Sequence, residues 1–139
     1  MSIEAAIYSL ISGDPTIAAL VVDRVYPVFV PSGTIGAAVT YQTVDGDDEY
    51  TCEGPVGLPE DRVQITAWSA EAKDGGTHVQ MLALFAALKD LFDGYVGSAG
   101  GVTIAGCYIV DKDDVLSGDK EGSDYRWGKR MDVMVAYEE

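Results

Sequence analysis

Apolar residues at the start of the chain recur at the spacing of an α-helix. Ile3, Ile7 and Ile11 lie about one turn apart, which predicts a helix over residues 3–12. Asp14 comes directly before a proline, the usual order of a capping residue and the first helical residue. A short second helical turn is therefore predicted after the first helix.

The longest helical pattern begins after Thr77. Thr77 and Gln80 have the spacing of a capping box, in which each side chain satisfies a backbone N–H at the helix start. Gly94 follows the pattern as a C-terminal stop. Between them, one apolar stripe is formed by Met81, Leu84, Phe85, Leu88, Leu91 and Phe92. This stripe predicts the second principal helix and the face that it buries.

Alternating apolar and polar residues predict a half-buried strand over residues 62–67, with Val63 and Ile65 on one face. The strand-like residues 24–30 contain Pro27, which predicts an edge or bulged strand. The strand-like runs are residues 24–30, 38–44, 62–67, 102–110 and 125–137. The order of elements predicts an α+β fold: a mainly antiparallel sheet packed by two principal helices, with long loop arms, in one domain over residues 1–139. We expect the stripe of the second helix to pack on Val63 and Ile65.

The acidic residues are concentrated in two segments that the pattern assigns to loops. The net charge is −14. Residues 45–53 contain five acids and no base, and residues 111–124 contain six acids and two bases, so together they hold −9 of that charge. Such a surface repels polyphosphate, which argues against a basic nucleic-acid footprint. Residues 45–60, between two predicted strands, form a longer connection than most compact domains have, and connections of that length are usually functional arms or disordered.

Few residues could support catalysis or bind a metal. His78 is the only histidine, at a position expected to be an exposed helix start. Cys52 lies among carboxylates, which raise a thiol pKa, and Cys107 lies in a predicted strand. Calcium loops beginning at Asp45 or Asp111 fail, because neither has the required glycine. No catalytic residue, metal ligand or cofactor is predicted.

The sequence contains no recognisable phosphate-binding loop, signal peptide or membrane helix. The glycine-rich residues 94–101 are expected to form a turn, since they lack the lysine of a phosphate loop. The first residues include Glu4 and no basic leader, unlike a signal peptide. No apolar run reaches the roughly 18 residues that a membrane helix needs. We therefore expect a protein made in the cytoplasm and not inserted in a membrane.

Two groups of residues resemble a known family. One is the run from Gly57 to Trp68, in which a Gly/Pro-rich loop becomes an alternating strand before the second helix. The other is Asp14-Pro15 with Asp23-Arg24-Val25-Tyr26-Pro27 and Pro31. Together with the order of elements, they resemble the tail terminators of tailed phages, also called tail-completion or tail-to-head joining proteins. The resemblance covers most of the chain.

The resemblance implies a structural subunit of the virion tail or neck, assembled in the host cytoplasm. It implies a homo-oligomeric ring, expected to be a hexamer, that caps the tail tube, stops its polymerisation and joins the tail to the head connector. The implied partners are the chain itself, the tail tube protein and the head–tail connector protein. DNA would pass through the channel without specific binding.

Contacts in such an assembly are expected from the acidic arms and from the bases near the last strand. These basic side chains should form ion pairs with the acidic segments, within the chain or across an interface. The candidate interface residues are Asp45, Asp47, Asp48, Glu49, Tyr50, Glu53, Asp111, Asp113, Asp114, Asp119, Glu121, Arg126, Lys129 and Arg130. Three alternatives stay open: another neck or tail-tube component, a stand-alone acidic binding module that mimics nucleic acid, and, more remotely, a small hydrolase.

Overall fold

Three α-helices are present in the computed structural model, which describes residues 3–45, 60–117 and 125–138. They are α1 (Ile3–Gly13), α2 (Pro15–Val21) and α3 (His78–Phe92). Asp14 begins α2 as predicted, since its carboxylate accepts hydrogen bonds from the backbone N–H groups of Thr16 and Ile17. A short 3-10 helix, Ala72–Asp74, precedes α3.

Six strands form one mixed sheet in the described residues. Their bounds are β1 (Val25–Pro27), β2 (Ala38–Asp45), β3 (Glu60–Trp68), β4 (Gly97–Ala99), β5 (Val102–Ser117) and β6 (Arg126–Glu138). Their order in the sheet is β1-β2-β3-β6-β5-β4. β1 pairs with β2 in parallel, and the remaining neighbours pair in antiparallel fashion. The fold is α+β, as predicted, and Pro27 lies on the edge strand.

Helix α3 buries its apolar stripe on the middle of the sheet. Met81, Leu84 and Leu88 are at most 1% exposed. They share one core with Val63 and Ile65, and α3 contacts β3, β5 and β6. The predicted packing of this helix is therefore confirmed, and burying such side chains is the main contribution to stability.

Helix α1 lies on the same side of the sheet as α3 and contacts β1 and β2 as well as β4. These strands lie near opposite ends of the sheet order, so the sheet curls around α1. Ile3, Ile7 and Ile11 face the core, each at most 4% exposed. The backbone of Gly100 lies against Ala6 of the helix, where an added Cβ would come within 3.0 Å of backbone atoms.

Three local predictions were wrong. Residues 111–117 continue β5 and pair with β6, although their charge had predicted a loop. Residues 97–99 form β4, so the turns of the glycine-rich segment are at Gly94, before this strand, and at Gly100 and Gly101 after it. Thr77 caps α3 as predicted, but the Gln80 side chain does not close a capping box. Its Oε1 instead accepts a hydrogen bond of 2.9 Å from the backbone N–H of Ala70.

Within the described residues, no helix covers the outer face of the sheet, and polar side chains bridge its strands there. Gln42 donates to Gln64 at 2.9 Å, and Arg62 donates to Asp132 at 2.6 Å. Trp68 lies across Gly128, where a Cβ would approach the indole to 2.5 Å. These polar groups are packed closely, since Asp132 is 9% exposed and Thr40 and Thr66 on the same face are 4% and 6% exposed.

Candidate assembly surfaces

The acidic side chains of β5 pair with basic side chains of β6. Antiparallel register places Asp113 opposite Arg130 and Asp114 opposite Lys129. Arg130 donates a hydrogen bond to Asp113, and Lys129 lies 3.9 Å from Asp114. Lys129 and Arg130, two of the three bases predicted to form such pairs, therefore pair with the acidic segment within the chain. We call this pair of strands, over residues 111–117 and 126–130, the charged ribbon.

The charged ribbon presents both signs of charge to solvent. The side chains of Asp113 and Asp114 are 52% and 73% exposed. The Lys129 ammonium also lies over the ring of Phe85, 5.0 Å from its centroid. The aliphatic part of the Lys129 side chain therefore runs along the edge of the core. Exposed ion pairs contribute little to stability but influence the rate and orientation of association. The role of these residues at an interface stays a prediction.

Several candidate interface residues lie outside the described part of the chain. The side chain of Asp45 is also not described, although its backbone ends β2. The residues outside are Asp47, Asp48, Glu49, Tyr50, Glu53, Asp119 and Glu121. Their contribution to an interface remains a prediction from the sequence.

Arg126 is a buried internal clamp, unlike the other two bases. It is 5% exposed, and its guanidinium donates to the backbone carbonyls of Thr34 at 2.7 Å and of Gly36 and Ser69 at 2.9 Å. Glu71 lies 3.9 Å away. Burial lowers the pKa of Arg126 from its ordinary value, and Glu71 opposes that effect. The predicted interface role does not fit this residue, because its donors are engaged inside the chain.

A shallow groove of about 430 Å³ lies beside the edge of β2. Its lining includes Glu4, Val28, Tyr41 and Thr43. Glu4 accepts a hydrogen bond of 2.9 Å from the Thr43 hydroxyl. Burial raises the pKa of Tyr41, and the nearby Tyr8 and Glu4 add to the effect, so the phenol stays neutral. The groove has one acid and no base among its lining residues, which gives it no general acid–base pair.

Several strongly exposed apolar side chains lie outside the candidate interface residues predicted from the sequence. Val28, Phe29 and Ile35 belong to the loop between β1 and β2, and Val79 lies on α3. The available signal was the absence of charge: no acid or base occurs between Val25 and Val44. A loop that carries apolar residues and no charge is unusual at a water-exposed surface.

Of the residues considered for catalysis, the structure describes His78 and Cys107, and Cys52 lies outside the described part of the chain. His78 is exposed, and its ring meets the edge of Trp127 with centroids 5.3 Å apart. Burial raises the pKa of the Cys107 thiol to about 11, which makes it a poor nucleophile. Across residues 3–45, 60–117 and 125–138, no group of three His, Cys, Asp or Glu side chains could hold a metal ion. None of the helices described is long and apolar enough to cross a membrane.

Residues 5–133 match the family of the tail completion protein gp17. The chain belongs to this family, which confirms the resemblance drawn from its motifs. It is therefore a structural component of phage-type tail assembly and of the virion.

Comparison with solved structures gives six matching chains. One belongs to the virion of a native gene transfer agent particle and superposes with a TM-score of 0.72 at 19% sequence identity. The match covers 99% of this chain and 96% of that chain, so the two share a fold over nearly their whole length. No match was found among curated proteins.

Proposed function

We propose that this protein is a tail terminator: a ring, expected to be a hexamer, that caps the finished tail tube and stops its polymerisation. The ring then joins the tail to the head connector. The observation that carries the proposal is the family match to tail completion proteins over residues 5–133. A compact subunit with exposed surfaces of different character also suits a protein that contacts copies of itself and two other proteins.

The proposed partners are the tail tube protein on one side of the ring and the head–tail connector protein on the other. The charged ribbon, with Asp113, Asp114, Lys129 and Arg130, supplies charges of both signs for such contacts. Residues 45–56 and 111–124 are proposed to act at these contacts or to line the channel. Residues 111–117 of the second segment also extend the sheet through their pairing with β6.

DNA is proposed to pass through the ring without specific binding. The net charge of −14 supports this, because a lumen lined by carboxylates repels the phosphate backbone. Lys129 and Arg130 of the charged ribbon pair with Asp114 and Asp113 within the chain. A channel that neither binds DNA nor recognises its sequence allows ejection without a retaining contact.

The test is removal of the chain from the particle that encodes it, followed by electron microscopy. The proposal expects tails longer than normal and free heads, both restored when the intact chain is supplied. Tails of normal length that fail to join heads would show a neck component that does not terminate the tube. Normal particles in the absence of the chain would refute the proposal.

A further inference from the structure

The longest uncharged stretch of the chain, Val25–Val44, includes an exposed apolar loop. Residues 28–37 connect β1 to β2, and we call them the β1–β2 loop. Val28, Phe29 and Ile35 in this loop are 62%, 68% and 70% exposed. Because 23% of all residues are charged, an uncharged stretch of this length marks a distinct surface. Clustered exposed apolar groups are typical of protein contacts.

The β1–β2 loop is held in place before any partner binds. Arg126 donates to the carbonyls of Thr34 and Gly36, and Arg24 donates to the carbonyl of Ala37 at 2.7 Å. Val28 has a φ of 69°, which is unfavourable for a β-branched residue and persists only where the surroundings impose it. A fixed loop loses little conformational entropy on docking. The loop is therefore built to present Phe29 and Ile35.

Helix α3 supplies a second apolar surface, on the side away from the sheet. Val79 and Leu82 are 74% and 38% exposed, and Ala83 and Ala86 are exposed beside them. These four residues, which we call the α3 outer stripe, follow the helix at a spacing of three and four. Between Gly75 and Leu88 there is no Asp, Glu, Lys or Arg, and His78 is the one titratable side chain. A helix that is apolar on both sides is expected to be covered on both.

The distribution of charge indicates which partner packs on the β1–β2 loop. A basic partner would be attracted to the acidic surfaces, whereas an uncharged loop suits a partner that is itself acidic. A second copy, with a net charge of −14, meets this condition, since contacts elsewhere would bring carboxylates together. The second copy also offers an uncharged apolar surface of its own in the α3 outer stripe.

We propose that the β1–β2 loop of one copy packs on the α3 outer stripe of the next copy. The two surfaces are different parts of the same chain, so the contact is head-to-tail, and repeated contacts of this kind can close into a ring. The inference rests on the proposed ring and specifies how neighbouring subunits meet. It places Phe29 and Ile35 against Val79 and Leu82.

Cross-linking tests the pairing directly. In a Cys52→Ser background, Phe29→Cys and Leu82→Cys are combined in one chain and treated with a short bismaleimide; Cys107 is buried and should not react. The expected product is a ladder of oligomers that ends at a closed ring, while an equal mixture of the two single-cysteine chains stops at dimers. Dimers from Phe29→Cys alone would indicate a symmetric contact and overturn the proposal. No cross-link at any concentration would also overturn it.

A serine substitution series separates this inference from the proposed function. Phe29→Ser and Leu82→Ser should each raise the concentration at which half of the copies assemble by about tenfold, since each loses a buried apolar contact. Val96→Ser is the matched control, because Val96 is 69% exposed on a different surface. If Val96→Ser weakens the ring and Phe29→Ser does not, the proposed contact between the β1–β2 loop and the α3 outer stripe is refuted, while the proposal that the protein forms a ring is unaffected. If particles lacking the chain are normal, the proposed function fails instead.

Discussion

Replacing Arg126 with methionine should destabilise the fold strongly. Methionine fills a similar volume but donates no hydrogen bond, so the carbonyls of Thr34, Gly36 and Ser69 lose their shared donor. Ser69 is fully buried, and its carbonyl has little access to water. Leaving a buried acceptor without a partner costs roughly 1–3 kcal/mol, and hydrogen bonds to a charged donor contribute about 1.5–3 kcal/mol each.

The expected loss of unfolding free energy is about 3 kcal/mol. The full sum of three charged hydrogen bonds does not apply, because the carbonyls of Thr34 and Gly36 lie nearer the surface and can turn to water. A loss of this size is a large share of the roughly 5–15 kcal/mol that stabilises a typical domain. In thermal unfolding it corresponds to a shift on the order of 10 °C.

Urea unfolding followed by tryptophan fluorescence measures the effect, since Trp127 adjoins the substituted residue. Arg130→Met is the matched control: its side chain is 37% exposed and pairs with Asp113, so the change should cost less than about 1 kcal/mol. Equal stabilities of Arg126→Met and Arg130→Met would refute the inference that the hydrogen bonds of Arg126 stabilise the fold. A large loss confined to Arg126→Met would establish that this residue acts inside the subunit.

Three further predictions address the core, a buried thiol and an acidic arm. Leu88→Ala should lower the free energy of unfolding by about 2–5 kcal/mol, because Leu88 is fully buried, whereas Leu82→Ala on the exposed side of the same helix should cost under about 1 kcal/mol. The pKa of Cys107 rises from 9.0 to about 11 on folding, so its contribution to stability should be complete below pH 9 and lost as pH rises through 11. A Cys107→Ala chain should lack that part of the decline in alkaline denaturation curves. Replacing residues 46–53 with an Asn-Gly turn should leave monomer melting nearly unchanged but impair tail capping; normal, head-joined tails would show that the arm is dispensable.

Local sequence signals predicted the elements that bury one face. The stripe of α3 and the alternation around Val63 and Ile65 follow directly from helix and strand periods, and both lie in one core. Asp14 worked as a cap because its carboxylate reaches backbone donors only two and three residues away. Such signals depend on neighbours along the chain, which the sequence displays.

Features that depend on distant residues were not predictable in this way. The acidic segment 111–117 read as a loop because its composition is polar, yet β6 supplies both a strand to pair with and bases for its carboxylates. Gln80 closes no capping box because Ala70, which is brought beside it by the 3-10 helix, offers another donor. Arg126 was grouped with neighbouring bases, although its acceptors lie more than 50 residues away.

The distribution of charge accounts for how so acidic a chain could assemble with itself. Carboxylates at separations near the Debye length repel one another, so a contact between copies is most favourable where both surfaces are uncharged. The β1–β2 loop and the α3 outer stripe meet that condition, while Asp113 and Asp114 remain exposed beside their bases. Raising ionic strength should then strengthen assembly of copies by screening the residual repulsion. An assembly that weakens with added salt would instead require ion pairs between subunits, and the charged ribbon would become the subunit contact.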